Sequence, residues 1–137
     1  MATYTSNINI KAPASKVFDA LTQPELVKQW QYGKLLTTDW QVGGAIRFSA
    51  EYEGKMLEQW GTILDLRPNE LVKYNLFTPR PNQEDKIENY TITSYVLTQQ
   101  DGITHIQIIH EDNRPQVFAP QSLKGILVAL RNIAEAD

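Results

Sequence analysis

The sequence predicts an α+β fold in which a curved antiparallel sheet wraps around one long C-terminal helix. Three observations carry this expectation. Between Ile46 and Glu111, stretches that alternate apolar and polar residues follow one another, separated by turn signals, as successive hairpins do. Two short runs at helical spacing lie between Pro13 and Trp30. Near the end, Leu123, Ile126, Leu127, Leu130 and Ile133 draw one wide apolar stripe. A helix with such a stripe needs a surface to cover it, and an antiparallel sheet with one apolar face supplies that surface.

The elements follow in order. "TYTSNINIK" sets Tyr4, Ser6, Ile8 and Ile10 on one face and Thr5, Asn7, Asn9 and Lys11 on the other, a half-buried first strand. In "APASKVFDAL" the period changes; Ser15 is the expected N-cap, and Val17, Phe18 and Leu21 repeat at helical spacing. "QPELVKQW" restarts after Pro24, which suits a first helical turn, with Leu26, Val27 and Trp30 on one side.

Gly43-Gly44 in "TTDWQVGGAIRF" raises the question of a phosphate-cradling turn. Such a turn needs a strand before it and a helix after it, whereas here Ile46, Phe48, Ala50 and Tyr52 alternate with Arg47, Ser49, Glu51 and Glu53. The glycines are therefore read as the tight entrance to a strand. "EGK" at 53–55 and "QQDG" at 99–102 read as hairpin turns, "RPNE" as another, and "TPRPNQED" as an exposed loop. Prolines 115 and 120 close off the sheet, and the last helix is expected from Gln121 onward. In all, the sheet is expected to have about six strands.

Composition narrows the function. The 137 residues suit a single domain spanning 1–137 with a real core, and three Trp and six Tyr help to fill it. Thirteen basic residues against sixteen acidic ones, scattered, form no stripe that would recommend nucleic acid. Without cysteine there is neither disulfide nor thiolate chemistry. "MATYTSNINI" has no basic start followed by an apolar core of a secretory signal, and no segment approaches the roughly 18 apolar residues of a membrane span. A cytoplasmic location without membrane insertion is the expectation.

Several short signatures, in order over about residues 6 to 134, resemble the START-like, polyketide cyclase-like helix-grip superfamily (SRPBCC), and within it homologues of the activator of heat shock protein 90 ATPase. "IKAPASKVFDALTQPELVKQW" is similar to that family's opening strand and helix pair, ending in Trp. "DWQVGGAIRF" resembles its Gly-Gly entry to the second strand, and "GTILDLRPNELVKYNLF" its next hairpin. "SYVLTQQDGITHIQIIHE" resembles its last hairpin, ending here in His110-Glu111. The likeness departs at the last helix, where Leu123 stands at a position usually occupied by Trp. The eukaryotic activator also has a separate N-terminal domain that this chain lacks, so a chaperone partner is not the first expectation.

The resemblance implies a deep apolar cavity between sheet and C-terminal helix that holds a hydrophobic small molecule. Independently, the strand faces bring Phe48, Tyr52, Val72, Tyr74, Leu76 and Tyr95 opposite Leu123, Leu127 and Leu130, which either line that cavity or fill the core. Tyr52, Tyr74 and Tyr95 would orient a ligand's carbonyl or hydroxyl, or bond a backbone carbonyl. Trp30 and Trp40 stand in the region that in relatives forms part of the cavity mouth.

The strand from Met56 to Leu66 leaves two readings open. Its even face, with Met56, Glu58, Trp60, Leu64 and Leu66, is the more apolar and would carry Glu58 inward beside Trp60, as an acid or base with a raised pKa. A bulge near Gly61 would switch the faces and leave Glu58 in water. His105 and His110 point to opposite faces of their strand, so they cannot share a metal, and neither metal nor cofactor is expected. His110 shares a face with Ile106 and Ile108 and would either donate into the cavity or serve as a structural histidine. Arg47, opposite Phe48 in the alternation, is expected outside.

Three functions therefore stand: a binding module for a small hydrophobic ligand; a cyclase, dehydratase or hydrolase using Glu58 with His110 or a Tyr; and a chaperone or stress-response partner. The first is the leading expectation. Pairing of two copies through an edge strand stays open.

Overall fold

A computed structural model describes residues 2–30, 34–79, 81, 84–112 and 123–136, and only the backbone of Tyr52. Seven strands form one antiparallel sheet in the order β1-β7-β6-β5-β4-β3-β2. They are β1 (Ala2–Ile10), β2 (Leu35–Thr38), β3 (Ala45–Tyr52), β4 (Lys55–Arg67), β5 (Leu71–Leu76), β6 (Thr91–Gln100) and β7 (Ile103–Asp112). Helices α1 (Ala14–Thr22) and α2 (Pro24–Trp30) follow β1, a short 3₁₀ turn spans Ile87–Asn89, and α3 (Leu123–Glu135) closes the chain. This is the helix-grip, START- and Bet v 1-like architecture.

The strand beyond the expected six is β2. It is only four residues long, too short to show a period, and exists because Leu35–Thr38 pairs with Ser49–Ile46 of β3. Gln121, Pro115 and Pro120 lie outside the described residues, and the described part of α3 begins at Leu123.

The start of α1 also differs from expectation. Pro13, not Ser15, holds the N-cap position, and no side chain caps the helix there. Instead the Ala14 N–H donates to Gln99 Oε1 of β6 at 2.7 Å, so a distant strand satisfies a helix end that local sequence leaves open. Pro24 does begin α2, with the Gln23 carbonyl accepting from Leu26 and Val27.

Two of the three predicted hairpin turns have the two positive-φ residues of a type I′ turn: Glu53 and Gly54 at 51° and 77°, Asp101 and Gly102 at 54° and 77°; in the third, Asn69 alone is positive, at 63°. Gly43 has φ of 86°, its N–H donates to the Ile63 carbonyl at 2.8 Å, and the Gly44 carbonyl accepts from Ile63 N–H at 2.9 Å. These bonds lead into β3 and employ the Gly43 N–H that an anion would need. The Gly-Gly pair is a strand entrance.

β4 joins two halves of the sheet. Lys55–Thr62 pairs with β3, and Ile63–Arg67 with β5, with a register shift between Ile63 and Asp65. At the junction Asn75 Oδ1 takes the Thr62 N–H, and a Cβ on Gly61 would stand 1.9 Å from the Asn75 carbonyl oxygen. Only glycine allows the strands this close approach.

α3 lies against β1, β7, α1 and α2, burying Leu127, Leu130 and Ala134. Its ends are tied down: Lys124 Nζ donates to the Asn7 carbonyl, and Glu135 Oε2 accepts from Lys11 N–H at 2.8 Å. The core runs from Ile10, Ile106 and Ile108 through Val17 and Leu127 to Tyr95, Tyr74 and Phe48. The helix thus grips the β1–β7 side of the sheet. The inner face of the β3–β4 hairpin extends beyond it.

Candidate functional site

The inner face carries a row of aromatic rings. Trp30, ending α2, meets Tyr95 of β6 edge-on with centroids 6.1 Å apart. Tyr95 lies 6.4 Å from Tyr74 on β5, and Tyr74 lies 5.9 Å from Phe48 on β3. All four are buried. Strand pairing explains the row: Tyr95 and Val72 are cross-strand partners, Tyr74 faces Ile63, and alternation sends each ring inward. Burial pushes Tyr74 up to about 12 and, with Tyr74 as its neighbour, Tyr95 well above the usual phenol range. Both stay neutral at physiological pH. Trp30 Nε1 donates to the Ala20 carbonyl at 2.7 Å, which fixes α2 against α1.

Next to Phe48, where α3 no longer covers the sheet, a pocket of about 600 Å³ opens. Cross-strand pairs Phe48–Gln59 and Ala50–Leu57 put these four residues on the inner face; Lys34, Met56, Thr78 and Pro79 complete the wall, with Glu58 and Trp60 at its border. Met56 and Leu57 are 63 % and 55 % exposed, large apolar side chains left in water at the rim. One polar chain crosses this surface. The Lys34 ammonium donates to Gln59 Oε1 at 3.0 Å, and Gln59 Nε2 donates to Thr78 Oγ1 at 2.8 Å. Burial holds Lys34 below the usual lysine range.

The expected site residues divide between the two. Phe48 and Trp60 reach the pocket; Trp30, Tyr74 and Tyr95 form the aromatic row beside it. Leu127 and Leu130 are wholly buried in the core, and Leu76 and Leu123 are half-buried against it. Trp40, with φ of 55°, packs on the core while its Nε1 donates to the Thr22 carbonyl at 3.1 Å. The Tyr52 side chain lies outside the described residues.

The inward reading of Glu58 is corrected. Its β4 neighbours Gln59 and Ile63 face the core side with Phe48 and Ile46, so Glu58 and Trp60 face outward, and the register shift after Ile63 returns Leu66 to the inside. The Glu58 carboxylate pairs with Arg47, which lies outside as expected; both side chains are more than a third exposed. The Arg47 guanidinium also sits 5.6 Å from the Trp60 ring, whose Nε1 donates to Asp85 at 2.9 Å. His110 is on β7, with Nδ1 3.1 Å from Thr93 Oγ1. Two strands, β5 and β6, separate it from β4, so Glu58 and His110 do not meet as an acid–base pair.

Sequence reasoning missed Lys34, Gln59, Thr78 and Leu57. Gln59 and Leu57 stand on the face of β4 that a count along the whole strand makes the less apolar, and Lys34 and Thr78 lie in connections without period. The partnership of Phe48 with Gln59 was the available signal, since the hairpin turn at Glu53-Gly54 sets that register.

Fold and pocket together describe a helix-grip protein of the SRPBCC kind. Residues 11–133 match the family model described as "Activator of Hsp90 ATPase homolog 1-like protein", and the chain belongs to that family. Among solved structures it is similar to protein CV1439 from Chromobacterium violaceum, with 22 % identity, 98 % of each chain covered and a TM-score of 0.79. It is similar also to Ara h 8.0201, with 16 % identity, 97 % of each chain covered and a TM-score of 0.72. The Aha1 dimer from Colwellia psychrerythraea aligns with 19 % identity, over 98 % of this chain and 97 % of that one, at a TM-score of 0.68. At such identities these likenesses speak for the fold. Comparison with curated proteins gives no match. No helix among the described residues is long and apolar enough to cross a membrane.

Proposed function

We propose that this protein binds a small hydrophobic molecule on the concave face of its sheet, performs no chemistry of its own, and works in the cytoplasm. The observation that carries the reading is the pocket beside Phe48. Its volume of about 600 Å³ falls within the roughly 300–1,000 Å³ of small-molecule sites, and its walls are apolar with a few converging polar groups. Met56 and Leu57 at its rim are exposed at a cost that a bound apolar molecule would remove. Phe48, the ring of the buried aromatic row that lines the pocket, is held in place by Tyr74 behind it. This reading is preferred to the chaperone-activator reading that the family suggests because it stands on a site in this chain. The Colwellia psychrerythraea relative is a dimer, and pairing of two copies of this chain through edge strand β1 or β2 is compatible with the same reading.

The test is uptake of the neutral fluorescent dye Nile red, followed by emission and by native mass spectrometry. Stoichiometric uptake is expected in the wild type. Ala50→Trp, which places an indole in the pocket, should abolish it without lowering the thermal midpoint. A wild type that takes up no dye would refute the reading.

A further inference from the structure

Resting on the ligand-binding reading, we infer that the natural occupant of the pocket is an amphipathic monocarboxylic acid whose carboxylate pairs with Lys34 and whose hydrocarbon part lies along Phe48, Ala50 and Leu57. The pocket lining carries two charged groups, Lys34 and Glu58, and among the described residues only the carboxylate has an ion-pair partner. Among the described residues that line the pocket, Lys34 is the one cation. Its ammonium has three donors, of which Gln59 Oε1 takes one, and among the described residues no carboxylate lies within ion-pair distance of it. The lining acid, Glu58, is turned to the outer face and held by Arg47.

Gln59 is oriented by Thr78, so its carbonyl oxygen, not its amide, faces the ammonium. That arrangement aims the charge rather than neutralising it. Burial already disfavours the charged form of Lys34, and an anion beside it would relieve that penalty. One cation flanked by neutral hydrogen-bonding groups suits a singly charged head. A phosphate monoester would ask for a second cation or a cluster of backbone N–H groups. Beyond the head the wall is apolar, and it includes the rim residues Met56 and Leu57.

The experiment is displacement of Nile red by decanoate, decanol and decyl phosphate from wild type and Lys34→Met, with thermal midpoints recorded for both. In the wild type decanoate should displace the dye at concentrations roughly tenfold or more below decanol, as a charge-assisted hydrogen bond allows. In Lys34→Met that advantage should vanish through loss of decanoate affinity, with decanol unchanged. Should Lys34→Met fold poorly, Lys34→Gln carries the same expectation. Equal displacement by decanoate and decanol in the wild type, or an advantage that survives in the variant, would overturn the inference while leaving ligand binding intact. Decyl phosphate outcompeting decanoate would overturn the monocarboxylate. Failure of the dye to bind at all would instead strike the reading on which this one rests.

Discussion

The two ends of the sheet obey the same alternation and meet opposite fates. On the β1–β7 side, inner-face residues Ile10, Ile106 and Ile108 are sealed under α1 and α3. On the β3–β4 side, inner-face Leu57 stays in water and frames a pocket. What separates them is cover: α3 spends its apolar stripe on β1, β7 and the other helices. An apolar strand face becomes core where a helix reaches it and the wall of an open pocket where none does.

The sharpest way to break this comparison is to truncate one leucine at each end. Leu127→Ala removes a side chain with 0 % exposure and should cost about 2–5 kcal/mol. Leu57→Ala should change stability by no more than about 0.5 kcal/mol while weakening dye uptake. Urea unfolding with an unchanged slope measures both. Leu127→Trp should also destabilise, by about 1–3 kcal/mol, because the core there is closed; a folded, unperturbed Leu127→Trp would mean that the cavity extends under α3.

The junction of the two halves offers the next test. Gly61→Ala drives a methyl group against the Asn75 carbonyl and should cost about 1–3 kcal/mol. Its thermal midpoint should fall while Gly54→Ala, whose site is open, shows only the smaller strain of its positive φ.

A pH titration sharpens the contrast without mutation. Tyr74 is raised to about 12 and Tyr95 well beyond the usual range by burial, and Tyr90 to about 12 by desolvation first and its bond to Asp85 second. Groups whose folded pKa is raised stabilise fully below their unfolded value of about 10. That contribution is lost as pH climbs through 12. Phenolate absorbance should therefore rise late for these three, and stability should fall between roughly pH 10 and 12. Asp85 is depressed, chiefly by Tyr90, so its smaller contribution exists above the usual carboxylate range and is lost on acidification.

The smallest effect belongs to the outer face. Glu58→Gln should lower stability by about 0.2–1 kcal/mol, the range of exposed ion pairs, and leave dye uptake unchanged; a large loss of uptake would return Glu58 to the site.

Much of this is legible in the chain. β1 reads directly from its alternation, since Ile8 and Ile10 need cover and Asn7 and Asn9 do not. The Asp101-Gly102 and Glu53-Gly54 turns announce their hairpins because positive φ is cheap there. Tyr74, Tyr95 and Phe48 fall on inner faces by strand period, and Trp30 on the apolar side of its helix. The faces of β4 mislead because a register shift after Ile63 breaks the period, so a count of apolar residues along the whole strand mixes two faces. β2 escapes because four residues carry no period, and the cap on α1 because its partner, Gln99, is 85 positions away.

Local sequence thus determined the order of elements, the hairpin turns and the inward set of aromatic side chains, because backbone geometry and period act over a few residues. Where α3 rests, which half of the sheet it leaves bare, and that Lys34, Gln59 and Thr78 converge beside Phe48 were decided only by tertiary structure. Those outcomes depend on which distant surfaces compete for the same apolar stripe, and no local pattern records that competition.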